Sequence, residues 1–291
     1  MNTSQEFSGS PSDAVLALQQ WLSAQLQAQY ELKNTPAPWP DIATLSVSTT
    51  VYRREVYAFK DAAQASSPVY FEIGYWRGST STSASYTAPG WTLGVGRSLT
   101  QTGELVVTAP RMVTSANNSS TTSPPFRVSL VGHSGGFLLT SGPSTGSVAA
   151  HSLRVGRIRK GGRILGWAAA MFGWSVNLAQ LQLTDGDRTS NAALTLSSPL
   201  LTGAVRLASG DALLTFPDLY GPNGILEREY VPLEFLLSPA ADWSSGSSRR
   251  VLLSGQLVRM DSPVALAAPT SDVRFGGLNT TQVGLCPSED L

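Results

Sequence analysis

The sequence predicts a mainly β protein, built as one or two β-sandwich or barrel domains behind an N-terminal amphipathic helix. Three observations carry this expectation. Short runs rich in Val, Ile, Thr, Tyr and Phe recur from residue 43 onward. Clusters of Gly, Pro, Ser and Asn separate them, as turns separate strands. The one long stretch with helical period and neither Gly nor Pro lies at residues 13–33. Little helical pattern falls between the later runs, which disfavours a parallel sheet with crossover helices.

Taken in order, residues 1–9 show no periodicity and read as disordered. Ser10-Pro11-Ser12-Asp13 then reads as a helix start. A serine caps free N–H groups, proline suits the first helical position, and an aspartate suits the positive end of the dipole. Val15, Leu18, Leu22 and Leu26 recur at three- and four-residue spacing with Trp21 beside them, forming an apolar stripe. The helix is expected to stop near Asn34, before Pro36, Pro38 and Pro40. Strands are expected at 43–52, 55–60, 68–76, 91–97, 103–109, 126–132, 136–140, 152–159, 164–170, 174–183, 192–197, 203–208, 212–216, 231–237, 250–260 and 272–278. Residues 79–90, 114–125, 141–147 and 244–248 read as polar loops. A soft boundary near 145–152 divides the chain into an arm and helix (1–35), a β domain with Ser/Thr-rich loops (36–150) and a second β domain (151–291).

Composition excludes some functions. Basic and acidic residues number 20 each, which argues against nucleic acid as the main ligand, since neutralising phosphates needs a dense basic face. The densest basic stretch, Arg154, Arg157, Arg159, Lys160 and Arg163, reads either as a charged, solvated edge strand or as a contact for phosphate or an acidic partner. The single cysteine, Cys286, forms no disulfide within the chain. MNTSQEFSGSPSD has neither the basic start nor the apolar core of a secretory signal, and folding in the cytosol is expected. No membrane span is expected: the most apolar run, Ile164 to Leu178, falls short of the roughly 18–20 residues a spanning helix needs.

One motif invites a catalytic reading. Gly132-His133-Ser134-Gly135-Gly136 follows a strand-like run and matches the nucleophile elbow of α/β-hydrolases. That chemistry needs a helix after the serine, a histidine base and an acid orienting it. Gly142, Pro143 and Gly146 follow instead, and the only other histidine is His151. The favoured reading is a strand, a tight turn and a second strand, with no catalytic residue. No cofactor or metal is expected either. Gly94-Val95-Gly96 lacks the third glycine of a dinucleotide fingerprint, Asp185-Gly186-Asp187 lacks the distal glutamate of a calcium loop, and Glu227 and Glu229 stand without a framed cleft. Tyr75, Trp76, Tyr86 and Trp91 lie beside Ser/Thr-rich loops. They read either as core or as a recognition surface for sugars or another protein.

The capped helix, the many short strands, the Ser/Thr loops and the near absence of Cys and His resemble a tailed-bacteriophage virion protein. Residues 194–216, 231–260 and the RVLLSGQL text of Arg250 to Leu257 resemble the β-barrel domains of tail-tip and hub proteins. The resemblance implies a non-enzymatic structural protein of a tail, baseplate or neck, located in the virion and assembled with copies of itself and with other virion proteins. Val15, Leu18, Trp21, Leu22 and Leu26 would then either cover the chain's own sheet or dock into a neighbouring subunit. A carbohydrate- or surface-binding β module is the alternative, and a hydrolase built on Ser134 is a third reading.

Overall fold

A computed structural model describes residues 1–41, 50–77, 89–107, 111–113, 125–143, 151–160, 163–172, 179–185, 188–194, 205–206, 212–216, 219–220, 226–227, 231–239, 248–253, 256–261 and 282–289. In chain order, β1 is Asn2–Phe7, α1 Pro11–Gln29, β2 Glu31–Leu32, β3 Arg53–Ala58, β4 Tyr70–Arg77, β5 Pro89–Gly96, β6 Ser98–Leu99, β7 Leu105–Val106 and β8 Met112–Val113. Then follow β9 Phe126–His133, β10 Gly136–Pro143, β11 His151–Lys160, β12 Arg163–Phe172, β13 Ala179–Asp185 and β14 Arg188–Leu194. The last strands are β15 Val205–Arg206, β16 Ala212–Phe216, β17 Leu219–Tyr220, β18 Leu226–Glu227, β19 Val231–Pro239, β20 Ser248–Leu253, β21 Gln256–Asp261 and β22 Gln282–Pro287. The described residues are mainly β, in antiparallel sheets, with one N-terminal α-helix.

The central sheet has the order β1-β9-β10-β11-β12-β13-β14. Five of its joints are consecutive antiparallel hairpins or meander turns, so local connections build most of it. Its inner face carries Phe126, Val128, Leu130, Phe137, Leu139, Leu153 and Val155, at alternate positions along each strand. These pack against Tyr57, Phe59, Phe71, Ile73, Tyr75, Trp91, Leu93 and Val95 of a second sheet and its flanks, ordered β2-β3-β4-β5-β8. The buried face of α1, Ala14, Val15, Leu18, Leu22 and Leu26, completes the same core. On the opposite face of the central sheet, Val131 and Leu138 are also buried. There a third sheet, β15-β16-β19-β22-β21-β20, packs through β19 on β11 and through β22 on β9 and β10.

The helix start is built as expected. The Ser10 hydroxyl accepts from the Asp13 N–H at 3.2 Å, with Pro11 in the first turn. Gly9 precedes the cap with φ +112°, a conformation L side chains rarely adopt, and there the chain reverses from β1 into the helix. The helix ends at Gln29, five residues short of Asn34. Tyr30 is extended, and Glu31 and Leu32 pair with Ala58 and Tyr57. Strand pairing wins over the helix-friendly ELK text.

Residues 1–9 are a correction. Asn2 to Phe7 form a strand in unbroken register with β9, from Asn2↔Val131 to Phe7↔Phe126. Their polar text has no amphipathic alternation to betray them, because an edge strand draws on backbone bonds to its neighbour. The expected strand 250–260 is a hairpin, Leu253 pairing with Gln256. β10 runs to Pro143, past the predicted loop start at 141. Of the expected strand 43–52, residues 43–49 lie outside the described residues and 50–52 are not in a strand; the expected strand 272–278 also lies outside them. The expected boundary near 145–152 falls between β10 and β11, which pair from Gly136↔Gly156 to Ser141↔His151. The arm, the first β segment and the second therefore all contribute strands to one sheet.

Candidate functional site

The Gly-His-Ser-Gly-Gly segment is a hairpin turn. His133 pairs with Gly136, leaving Ser134 and Gly135 as the two loop residues. A Cβ on Gly135 would lie 2.8 Å from Asp61 Oδ2, so the turn leaves no room for a side chain there. The turn is fastened on every side. The Tyr30 hydroxyl lies 2.9 Å from the His133 carbonyl and 3.0 Å from the Gly136 carbonyl. The Ser134 carbonyl accepts from the Lys60 N–H at 3.2 Å, and the Gly135 carbonyl from the Arg157 N–H at 3.1 Å. The Gly135 N–H donates to His133 Nδ1 at 3.3 Å. A strand, not a helix, follows the serine.

Arg154 and Arg157 correct the solvated-edge reading of the basic stretch. β11 lies between β10 and β12, inside the sheet, and both side chains are buried. The Arg157 guanidinium grips Asp61 through Nε–Oδ2 at 2.5 Å and Nη2–Oδ1 at 2.9 Å. It also donates to Gln64 at 2.8 Å and to the Ser67 carbonyl at 2.6 Å, and lies over the Phe59 ring. This fork geometry suits arginine and not lysine. Arg154 donates to the Phe137 and Val155 carbonyls. Alternation did carry a signal for Arg157, since Leu153 and Val155 share its face, but the charge-rich text of the stretch obscured it. Arg154 lies on the opposite face.

A concentration of buried polar groups around Glu55 was not predicted as a site. Glu55 is 0% exposed. Its Oε1 accepts from the Ser23 hydroxyl at 2.7 Å and from Arg53 Nε at 2.8 Å and Nη2 at 2.6 Å. Its Oε2 accepts from the Tyr57 hydroxyl at 2.5 Å and the Tyr75 hydroxyl at 2.7 Å. The Arg53 guanidinium also reaches the Ala37 carbonyl and lies over the Trp39 ring. Burial pushes the Tyr57 phenol well above its ordinary value, and the neighbouring Glu55 carboxylate adds to the rise. Tyr75 is raised by burial first, then by Tyr57 and Glu55. Displaced titration of this kind marks functional sites and structural networks alike. All four partner residues are enclosed, and the carboxylate receives donors from α1, β3 and β4. Its chemistry is therefore to tie a helix to a sheet. One signal was readable in advance: Arg53, Glu55 and Tyr57 alternate along one strand face.

The aromatic surface is a second correction. Tyr75 and Trp91 are 0% exposed and Trp76 is 2% exposed. Tyr75 packs on Trp39 and Trp91, and the Trp91 N–H donates to Ser141 at 3.2 Å. Large aromatic area is worth most inside a sandwich, and these three form no outer face. Tyr86 lies outside the described residues. The helix stripe is settled in the same way. Val15, Leu18, Leu22 and Leu26 are 0% exposed within the chain's own core, so they are not available to dock a neighbour. Trp21 is half-buried against the Phe7 ring, 6.3 Å between centroids.

Among the described residues, no group of three or more His, Cys, Asp and Glu side chains is placed to hold a metal ion, and no helix is long and apolar enough to cross a membrane. Comparison of the chain with protein-family models, with curated proteins and with solved structures finds no match.

Proposed function

We propose that this chain is a non-enzymatic structural component of a tailed-phage virion or related injection machine, in its tail, baseplate or neck. The observation that carries the reading is where the reactive groups are spent. Glu55 and Arg157 are buried, and every charged atom of each is bonded to the chain's own backbone and side chains. The reading treats the three stacked antiparallel sheets as a frame that works through contacts with neighbouring subunits. The resemblance of the segments at 194–216 and 231–260 to tail-hub barrels supports the same class. Burial of Tyr75, Trp76 and Trp91 removes most of the aromatic face that the carbohydrate-module reading relied on.

Quantitative mass spectrometry of purified particles tests the proposal. Stoichiometric presence of the chain is the expected result. Its absence from particles, with full recovery as a free protein, overturns the assignment.

A further inference from the structure

Among the described residues, β1 stands at one end of the central sheet and pairs only with β9. Its backbone polarity follows from one pair. The Met1 amino group donates to the Gly132 carbonyl at 2.7 Å, and the Gly132 N–H donates to the Met1 carbonyl at 2.9 Å. In an antiparallel ladder, residues that exchange both bonds alternate with residues that exchange none. Met1, Thr3, Gln5 and Phe7 therefore turn their backbone groups toward β9. Asn2, Ser4 and Glu6 turn theirs away from the sheet. Asn2, Gln5 and Glu6 are exposed and Ser4 is half-buried. The Asn2 amide donates to Asp261 at 3.2 Å and the Gln5 amide to the Glu6 carbonyl at 3.4 Å. Among the described residues no second strand pairs with the outward groups of β1.

Edge strands are normally protected by lysine, proline, a bulge or extreme shortness. β1 has six residues in unbroken register and carries no lysine or proline. Its one charge, Glu6, is held by Arg127 at 2.9 Å. The rim is thus neutral and ready for pairing.

We propose that this edge binds the same edge of a second copy, β1 on β1, antiparallel about a two-fold axis at Ser4. The sequence is self-complementary in that register. Ser4 faces Ser4 of the second copy, Asn2 faces Glu6, and Thr3 faces Gln5. Every outward N–H and C=O of Asn2, Ser4 and Glu6 then meets a partner. The Glu6 carboxylate, held by Arg127, lies opposite the Asn2 side chain, held by Asp261, so no like charges face each other there. The two Glu6 residues fall four positions apart, roughly 13 Å along the strand, beyond the Debye length of about 8–10 Å at moderate salt. Sliding by two residues in either direction leaves outward groups unmatched. An interface of this kind is isologous and closes at two copies, joining two central sheets into one. This inference concerns the isolated chain, and it holds or fails separately from the location of the protein in a particle.

Light scattering on the purified full chain tests it, with Ser4→Pro and Ser4→Lys. The wild type is expected to be dimeric. Amide exchange at Asn2, Ser4 and Glu6 should slow as protein concentration rises. Ser4→Pro removes an N–H that points away from β9, so the intrachain ladder survives, and a folded monomer with unchanged circular dichroism is expected. Ser4→Lys brings two ammonium groups together at the axis and should weaken the dimer about tenfold or more at low salt, with recovery as salt is added. If Ser4→Pro fails to fold, Ser4→Lys decides. A wild type that stays monomeric at high concentration, a dimer equally tight in Ser4→Lys, or capture of this edge by a strand of a different protein overturns the proposal.

Discussion

Replacing Glu55 by glutamine is the sharpest test of how the core is held. The change preserves shape and removes one charge. Both carboxylate oxygens now accept, receiving Ser23, Arg53, Tyr57 and Tyr75. An amide offers one acceptor, and its NH2 group must face two hydroxyls or a guanidinium. Arg53, 9% exposed, loses its counter-charge. Breaking a buried pair from one side costs about 3–5 kcal/mol, a large share of the roughly 5–15 kcal/mol that holds most proteins folded. At about 2–4 °C per kcal/mol for a chain of this size class, the melting temperature should fall by about 6 °C or more. Urea unfolding followed by circular dichroism measures the loss. The double variant Arg53→Met/Glu55→Leu should not restore stability, because it strands the hydroxyls of Ser23, Tyr57 and Tyr75, each costing about 1–3 kcal/mol. Adding Tyr57→Phe and Tyr75→Phe should recover most of the loss. A Glu55→Gln protein within about 0.5 kcal/mol of the wild type, the scale of an ordinary surface change, would refute the claim that the carboxylate is the charged hub.

The same network sets an alkaline limit. Tyr57 and Tyr75 keep their protons in the folded state at pH values where the unfolded chain, with phenols ionising near pH ~10, releases them. Their stabilising contribution is complete below that pH. It is lost as pH rises toward the folded values, by up to about 1.4 kcal/mol per pH unit for each tyrosine. Unfolding midpoints measured across that range should fall steeply in the wild type and less in Tyr57→Phe/Tyr75→Phe. Tyr30→Phe deletes the hydroxyl contacts to the His133 and Gly136 carbonyls and should cost about 1–3 kcal/mol, with faster amide exchange confined to the β9–β10 turn. Gly90→Ala places a Cβ 2.2 Å from the Trp76 ring and should cost about 1–3 kcal/mol by overpacking, visible as a changed Trp fluorescence spectrum. Ser134→Ala should leave any ester turnover of the purified protein unchanged, and a loss of turnover in that variant would restore the hydrolase reading.

Much of the fold was legible because local rules decided it. The Ser10 cap, the Pro11 start and the apolar stripe of α1 read directly from three- and four-residue spacing. So did the hairpin at 132–136, where Gly and Pro after Ser134 left no room for a helix. What escaped was decided by partners far away in the chain. Asn2 to Phe7 become a strand through β9, more than a hundred residues later. Arg157 is buried because Asp61, Gln64 and Ser67 surround it, and no pattern near residue 157 records them. Tyr75, Trp76 and Trp91 looked equally suited to core and surface, since an aromatic ring serves both. Only the opposing sheet settles which.

The helix shows why the polar network belongs in the core. An apolar stripe alone fixes that α1 lies on the sheets, but it sets rotation and register loosely, because leucines repack with little loss. Gln19 and Ser23 lie one turn apart beside that stripe and are 0% and 3% exposed. Gln19 donates to the Trp76 and Gly90 carbonyls at 3.1 and 3.4 Å and accepts from the Tyr52 hydroxyl, while Ser23 donates to Glu55. A shift of the helix by one residue would strand each of these groups at about 1–3 kcal/mol apiece. Replacing both by leucine keeps the stripe and removes the stops. The variant should retain its helix content by circular dichroism yet show broadened or doubled amide resonances along residues 11–29. Single sharp resonances at their wild-type positions would mean that packing alone sets the register.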